Sequence, residues 1–250
     1  MRRLSLLRHM ARLVPLVLAC AACSPALAIV LGTASSLGAH VVRVAGASGA
    51  FCSGAVIDRF HVVTAGHCAA SGVVIDRRYI PAASRTQTAR LADGRTITVH
   101  GDAAILSFRR PLPPSAVPIE IGVQGIDGEF TIAGFGTTSE RRWNLGTLHE
   151  ASVVFHAPFK LVAPDRMSDI SASACFGDSG GAVLRNGALV GVITRASHPH
   201  PVIACGHLTH YAPVVATPRI EYHPLDGSEV SAAPRKPQRR LMYRRDFTPR

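Results

Sequence analysis

The sequence predicts an all-β protein, and three observations carry that expectation. From Gly38 to Val215 the apolar residues come in many short runs, some continuous and some alternating with polar residues. No stretch sustains the apolar period of an amphipathic helix. Gly, Pro, Asp and Asn fall between the runs as turn signals. Together these point to a barrel or sandwich of short strands. About half of the 250 residues are apolar, enough for a sizeable core in one large domain or two smaller ones sharing an interface.

Taken in order, residues 1–28 read as an export signal. Arg2, Arg3, Arg8 and Arg12 precede the apolar run Val14 to Cys23, and Ala26-Leu27-Ala28 has the small-x-small pattern of a cleavage site. That run is shorter than the ~20 residues of a membrane helix, and no other segment is long and apolar enough to span. A rival reading is a lipid anchor at Cys20, where Val17-Leu18-Ala19-Cys20 loosely matches a lipidation motif. Strand-like runs follow at His40 to Ala45, Ala55 to Ile57, His61 to Thr64 and Ala103 to Phe108. Pro111-Leu112-Pro113-Pro114 cannot sit in a central strand and marks a connector between two halves, 29–114 and 115–217. The second half has runs at Glu129 to Gly134, Ala151 to Phe155, Gly181 to Leu184 and Leu189 to Thr194. From residue 218 the pattern gives way to a Pro- and Arg-rich tail, read as a solvated extension. Docking of that tail to an anionic surface is the alternative.

The net charge of +11 sits at the ends. Of 27 basic and 16 acidic residues, the leader holds four Arg and no acid, and the tail from Pro234 holds seven basic residues against Asp246. The body keeps 16 basic and 15 acidic residues, near neutrality, which argues against a nucleic-acid groove. Cys20 and Cys23 leave with the leader. Cys52, Cys68, Cys175 and Cys205 remain, an even number in a disulfide-permissive compartment with three possible pairings. The expected location is periplasmic or extracellular.

Three short motifs carry chemistry. Gly177-Asp178-Ser179-Gly180-Gly181 offers a serine on a tight glycine-flanked turn, where backbone N–H groups can face a developing oxyanion. Thr64-Ala65-Gly66-His67-Cys68 supplies an imidazole, a base whose ordinary pKa near ~6.5 suits proton transfer from that serine. A bond from Cys68 to Cys52 would close a short loop, contribute about 3 kcal/mol and fix the strand end bearing His67. Asp102, just before the apolar run Ala103-Ala104-Ile105-Leu106, is the acid to orient His67. It is preferred over Asp76 and Asp93 because that run follows it directly.

In this order, the His-, Asp- and Ser-bearing segments resemble the chymotrypsin-like, or trypsin-fold, serine proteases. The resemblance covers Ile29 to about Val215, with Ile132-Ala133-Gly134-Phe135-Gly136 similar to a strand of the second barrel. It implies two antiparallel β-barrels with the active site in the cleft between them. His67 and Asp102 would come from the first barrel and Ser179 from the second. The resemblance further implies disulfides Cys52–Cys68 and Cys175–Cys205, and an oxyanion hole at the N–H groups of Gly177 and Ser179. In this family a freed Ile-Val-x-Gly amine pairs with the aspartate before the serine. Ile29-Val30-Leu31-Gly32 follows Ala28 directly, so signal cleavage itself would expose Ile29 to pair with Asp178.

By the same resemblance the specificity pocket has its floor at Ser173 and its walls at Thr194, Arg195, Ala196 and Thr209. Ser173 stands where trypsin-like enzymes carry Asp, so cleavage after small or medium apolar residues is expected. His198, His200, His207 and His210 surround Cys205 without a full zinc spacing, and the loop Arg77 to Arg90 lacks the acids of calcium-binding relatives. No cofactor or metal is expected. The expected partners are polypeptide substrates and no nucleic acid, and the protein is expected to be a monomer. The competing function is a protease fold that no longer cleaves and binds through its surface or basic tail, although no triad residue is missing.

Overall fold

The computed structural model describes residues 28–46, 49–137, 147–165 and 170–217. The expected signal peptide, 1–28, lies outside these residues except for Ala28, and so does the tail from 218. Among the described residues no helix is long and apolar enough to cross a membrane.

The chain begins with a two-residue strand β1 (Thr33–Ala34) and then forms β2 (Val41–Ala45), β3 (Phe51–Asp58) and β4 (His61–Ala65). The turn between β3 and β4 is closed by Asp58, whose Oδ1 accepts the Phe60 N–H at 2.7 Å and faces His61 Nδ1 at 2.8 Å. An aspartate that caps the chain two residues on is a local turn device that needs no tertiary help. Next come β5 (Gly72–Ile75), β6 (Arg78–Pro81), β7 (Ser84–Thr86), β8 (Thr88–Arg90), β9 (Thr96–Val99) and β10 (Ala103–Ser107). The segment read from sequence as a loop, Arg77 to Arg90, thus carries three short strands. Their outward side chains are largely exposed, which hid the alternation.

Seven strands form one curled antiparallel sheet in the order β6-β5-β2-β3-β4-β10-β7. β4 is central, and Val62 to Ala65 are all buried. That is why His61 to Thr64 reads as a continuous apolar run. The second half supplies β11 (Phe130–Gly134), β12 (His149–Ala157), β13 (Lys160–Val162), β14 (Ala182–Arg185), β15 (Ala188–Ser197) and β16 (Leu208–Thr217). These pair in the order β12-β11-β14-β15-β16, and β13 bridges β12 and β16, which closes a six-strand barrel. The described chain is therefore all-β with a closed barrel beside a half-barrel sheet, as expected.

Two features join the halves. β8 and β9 do not pair within the first sheet. Val99 to Thr96 run antiparallel to Val214 to Thr217 of β16 and extend the second sheet. The proline-rich connector is pinned by main-chain bonds on both sides. Leu112 donates to Arg59 and Ile119 to Val56, while Gly122 donates to Leu189. One apolar core spans both sheets, with Val41, Ala55, Val63 and Ile105 packed in the same cluster as Ala182, Leu189, Val192 and Val214. Burying this continuous surface fixes the two sheets against each other at no directional cost.

Candidate active site

His67 lies in a single 3-10 turn, Gly66–Cys68, that ends β4. The register Ala103↔Ala65 brings the residue before β10 level with that turn. Gly66 donates to the Asp102 carbonyl at 3.1 Å, and a side chain on Gly66 would meet Asp102 Oδ1 at 2.9 Å. The small residue is thus required for close approach. Asp102 then holds His67 twice: Oδ1 accepts the His67 N–H at 2.8 Å, and Oδ2 lies 2.6 Å from Nδ1. Asp76 and Asp93 take no part. Asp76 accepts from Ser115, and Asp93 is paired with Arg95. Both disulfides are formed, Cys52–Cys68 beside the histidine turn and Cys175–Cys205 beside the serine loop.

Ser179 sits on a tight loop between Cys175 and Gly181. Asp178 N–H donates to the Cys175 carbonyl at 3.2 Å, and Gly181 N–H to the Asp178 carbonyl at 2.8 Å. Gly177 and Gly180 have φ of +91° and +82°, the left-handed region that favours glycine. At Gly180 a side chain would also strike the Ser53 carbonyl and Thr64. The loop presents Ser179 Oγ to His67 Nε2 at 3.0 Å. Among the described residues the N–H groups of Gly177 and Ser179 donate to no protein acceptor.

Ser53 registers the two halves and was not singled out from sequence. It is fully buried on β3. Its N–H donates to the Ser179 carbonyl at 2.8 Å, and its hydroxyl donates to the Gly177 carbonyl at 3.0 Å while accepting from Phe135 N–H at 2.9 Å. The only clue lay in its place beside Cys52 in an otherwise apolar strand.

Asp178 is fully buried behind the serine loop. Its Oδ1 accepts Gly136 N–H at 2.7 Å and its Oδ2 accepts Cys175 N–H at 2.9 Å. The Ile29 main-chain nitrogen also bonds to this carboxyl. Burial, opposed by these three hydrogen bonds, pushes its pKa up to about 7. Ile29 is itself fully buried at φ +56°, and Leu31 follows at φ +53°. A β-branched residue in that region is strained. One residue earlier, the Ala28 N–H donates to Nδ1 of buried His149 at 3.0 Å.

A cleft of about 780 Å³ opens beside Ser179, lined among others by Phe51, His67, Phe176, Gly177, Thr194, Arg195 and Ala196. Ser173 and Thr209 do not line it. Both are fully buried. The Ser173 hydroxyl accepts Gly206 N–H at 2.7 Å and donates to the Ala174 carbonyl at 3.0 Å. Thr209 Oγ1 accepts Ala174 N–H at 2.9 Å. These two buried hydroxyls hold the Ala174 and Gly206 main chain rather than facing the cleft. Of the histidine group, His198 and His207 meet edge to face at 5.7 Å, and His210 Nε2 faces Ser197 Oγ at 2.8 Å. Cys52, Cys68 and His67 lie together, but both sulfurs are spent in the disulfide, so they offer a metal no thiolate.

A closed barrel and a curled sheet, with His, Asp and Ser meeting where they face each other, define a serine protease fold of the chymotrypsin type. Residues 29–216 match the profile of the trypsin family, and the chain belongs to that family. Among solved structures, two inactivated protease paralogues of the scabies mite are similar. Paralogue S-I1 has 17% identity and a TM-score of 0.51, over 72% of this chain and 92% of its own. Paralogue S-D1 has 18% identity and a TM-score of 0.54, over 73% of this chain and 92% of its own. Neuropsin, a serine protease expressed in the limbic system of mouse brain, is similar at 18% identity and a TM-score of 0.52, over 73% of this chain and 94% of its own. No curated protein matches the sequence significantly. At these identities the structural likeness is one of fold.

The Ser53 bonds yield a first expectation. Ser53→Ala removes a buried donor and acceptor and leaves Phe135 N–H without its partner. Thermal or urea unfolding is expected to show a loss of about 1–3 kcal/mol. An unchanged midpoint would mean that the two halves hold their register without it.

Proposed function

We propose that this protein is an exported serine endopeptidase that cleaves polypeptides through an acyl-enzyme on Ser179. The observation that carries this reading is the unbroken chain Asp102–His67–Ser179, with contacts of 2.6 and 3.0 Å. In the mechanism, His67 Nε2 takes the Ser179 proton as Oγ attacks the scissile carbonyl. Asp102 accepts from Nδ1–H and stabilises the imidazolium. The unengaged N–H groups of Gly177 and Ser179 hold the oxyanion, as positioned donors do most effectively in a partly dry site. His67 returns the proton to the leaving amine, the C–N bond breaks, and water then hydrolyses the acyl-enzyme by the reverse proton path. Two disulfides fit an oxidising compartment, which supports export. The inactivated paralogues lend the silent reading only a shared fold, whereas the assembled triad favours catalysis.

The cleft supports cleavage after small or medium apolar residues. None of its lining residues is acidic, and Phe51, Phe176, Ala196, Ala204 and the Cys175–Cys205 bridge give it a largely apolar lining. A buried Lys or Arg would have no carboxylate to meet there.

The N-terminus supports activation by release of Ile29. The φ angle of Ile29 is defined only while Ala28 is attached, so cutting the Ala28–Ile29 bond removes this strained torsion. The freed ammonium then faces Asp178, replacing a neutral amide with a cation beside a buried carboxyl.

Three measurements test these statements. A fluorophosphonate is expected to add once to the mature protein and not at all to Ser179→Ala, read by intact mass; a folded protein without adduct would remove the enzyme reading. A peptide-library profile is expected to show an apolar residue before the cut, and a dominant Lys or Arg would overturn the pocket assignment. The third compares a chain beginning at Ala28 with one beginning at Ile29. With the amide, Asp178 titrates at about 7 in the folded state against an ordinary 3.8. The folded form then binds more protons in that window, so stability falls as pH rises from about 4 to 7. With the ammonium, the carboxylate has its partner and that decline disappears. The amine's folded pKa is raised instead, so its contribution is lost only on the alkaline side, above the ordinary ~7.7–8.0. Identical urea midpoints for the two chains at pH 4, 7 and 9 would refute the pairing.

A further inference from the structure

Three basic side chains stand in one row beside the catalytic centre. Lys160 on β13 is in register with His210 on β16, and His210 is in register with Arg195 on β15. Opposed residues on neighbouring antiparallel strands project to the same face, with strands about 4.8 Å apart. The row ends at Arg195, which is exposed in the wall of the main cleft. A second hollow of about 520 Å³ adjoins it, lined among others by His67, Asp102, Phe159, Arg195 and His210.

Among the described residues this charge has no acidic partner: no carboxylate forms an ion pair with Lys160 or Arg195. The one acid in the hollow, Asp102, is committed to His67 through both oxygens. Burial, and then the fields of Arg195 and Lys160, hold the His210 imidazole below its ordinary pKa. Arg195 and Lys160 therefore carry the charge of the row, with His210 between them as an uncharged imidazole near neutral pH, and the field of two like cations beside a cleft concentrates an anionic ligand there.

The direction of β15 fixes which part of a substrate meets the row. Pairing with β14 reaches no further along β15 than Val192, so among the described residues the edge from Thr194 to Ser197 has no strand on that side. The strand leaves the serine loop at Ile193, whose carbonyl accepts Gly180 N–H at 2.6 Å, and runs away from it to Ser197. Both strands that pair with β15 run antiparallel to it, and the isolated parallel bridge Ile121↔Leu189 lies at its far end. A substrate segment added antiparallel to the open edge therefore runs toward Ser179, and the residues it lays beside Arg195 precede the scissile bond.

We infer, on the protease reading above, that Arg195, His210 and Lys160 form a subsite for an aspartate or glutamate side chain of the substrate, a few residues before the cleaved bond. The test uses fluorescent peptides that differ only by Asp or Asn at each position preceding that bond. They are titrated onto the Ser179→Ala protein, which keeps the cleft and cannot acylate. At one position the Asp peptide is expected to bind about tenfold tighter at low salt, as a few partly exposed ion pairs allow. The advantage shrinks in high salt and falls toward one with Arg195→Gln and further with Lys160→Gln added, each variant checked for an unchanged unfolding midpoint. Equal affinity for the Asp and Asn peptides at every position overturns the subsite. Turnover of the same peptides by the unmodified enzyme separates the two readings. Acidic preference in binding without any turnover keeps the subsite and removes the protease, while turnover without acidic preference does the opposite.

Discussion

A carboxyl group shut away from water governs the local architecture of this site. Asp178 receives main-chain N–H groups from three segments far apart in sequence: Ile29, Gly136 and Cys175. Each would be costly to leave unpaired in a dry setting, and the carboxyl would be costlier still. The neighbouring sequence follows from that demand. A side chain at Gly134 or Gly136 would collide with Asp178, so the run Gly134-Phe135-Gly136 is shaped by a residue more than forty positions away. Because Asp178 immediately precedes Ser179, whatever seats this carboxyl also sets where the nucleophile points.

The triad is divided between two sheets, so its geometry depends on how firmly they are registered. Short-range chemistry positions His67 against Asp102, since they lie just beyond the paired ends of neighbouring strands of one sheet. The contact to Ser179 is different: it crosses from one sheet to the other. Ser53 provides the directional part of that registration, and the apolar cluster shared by the two sheets provides the bulk of it. The division of labour is physical. Apolar burial is strong but indifferent to small sliding, whereas a hydroxyl that donates and accepts at once admits little displacement.

Much of this was legible from residues alone. Short runs such as His61 to Thr64 and Ala103 to Phe108 read as buried strands because both of their faces are largely covered. The motifs around His67 and Ser179 stood out because the glycines that permit their turns lie within the motifs. The segment from Arg77 to Arg90 was missed as strand, because short strands with exposed outward faces show little alternation. Ser173 and Thr209 illustrate another limit. The family resemblance places them at the pocket, but which face of a wall a hydroxyl occupies depends on hydrogen bonds to Gly206 and Ala174 that no local pattern encodes. The basic row escaped for the same reason. Lys160, Arg195 and His210 are scattered in sequence and become neighbours only through strand register.

The pairing of β9 with β16 has a consequence for how such a molecule can change over time. The first half of the chain lends two strands to the sheet of the second, and the last strand of the second half needs them to cover its edge. The second half thus does not cover every edge of its own last strand. Recombination that exchanged one half for a relative's would have to cut across these shared hydrogen bonds, leaving open edges prone to sticking to other chains. Divergence in this lineage is thereby channelled into the surface turns and the rims of the cleft, where residues can be altered one at a time without unlacing the two sheets.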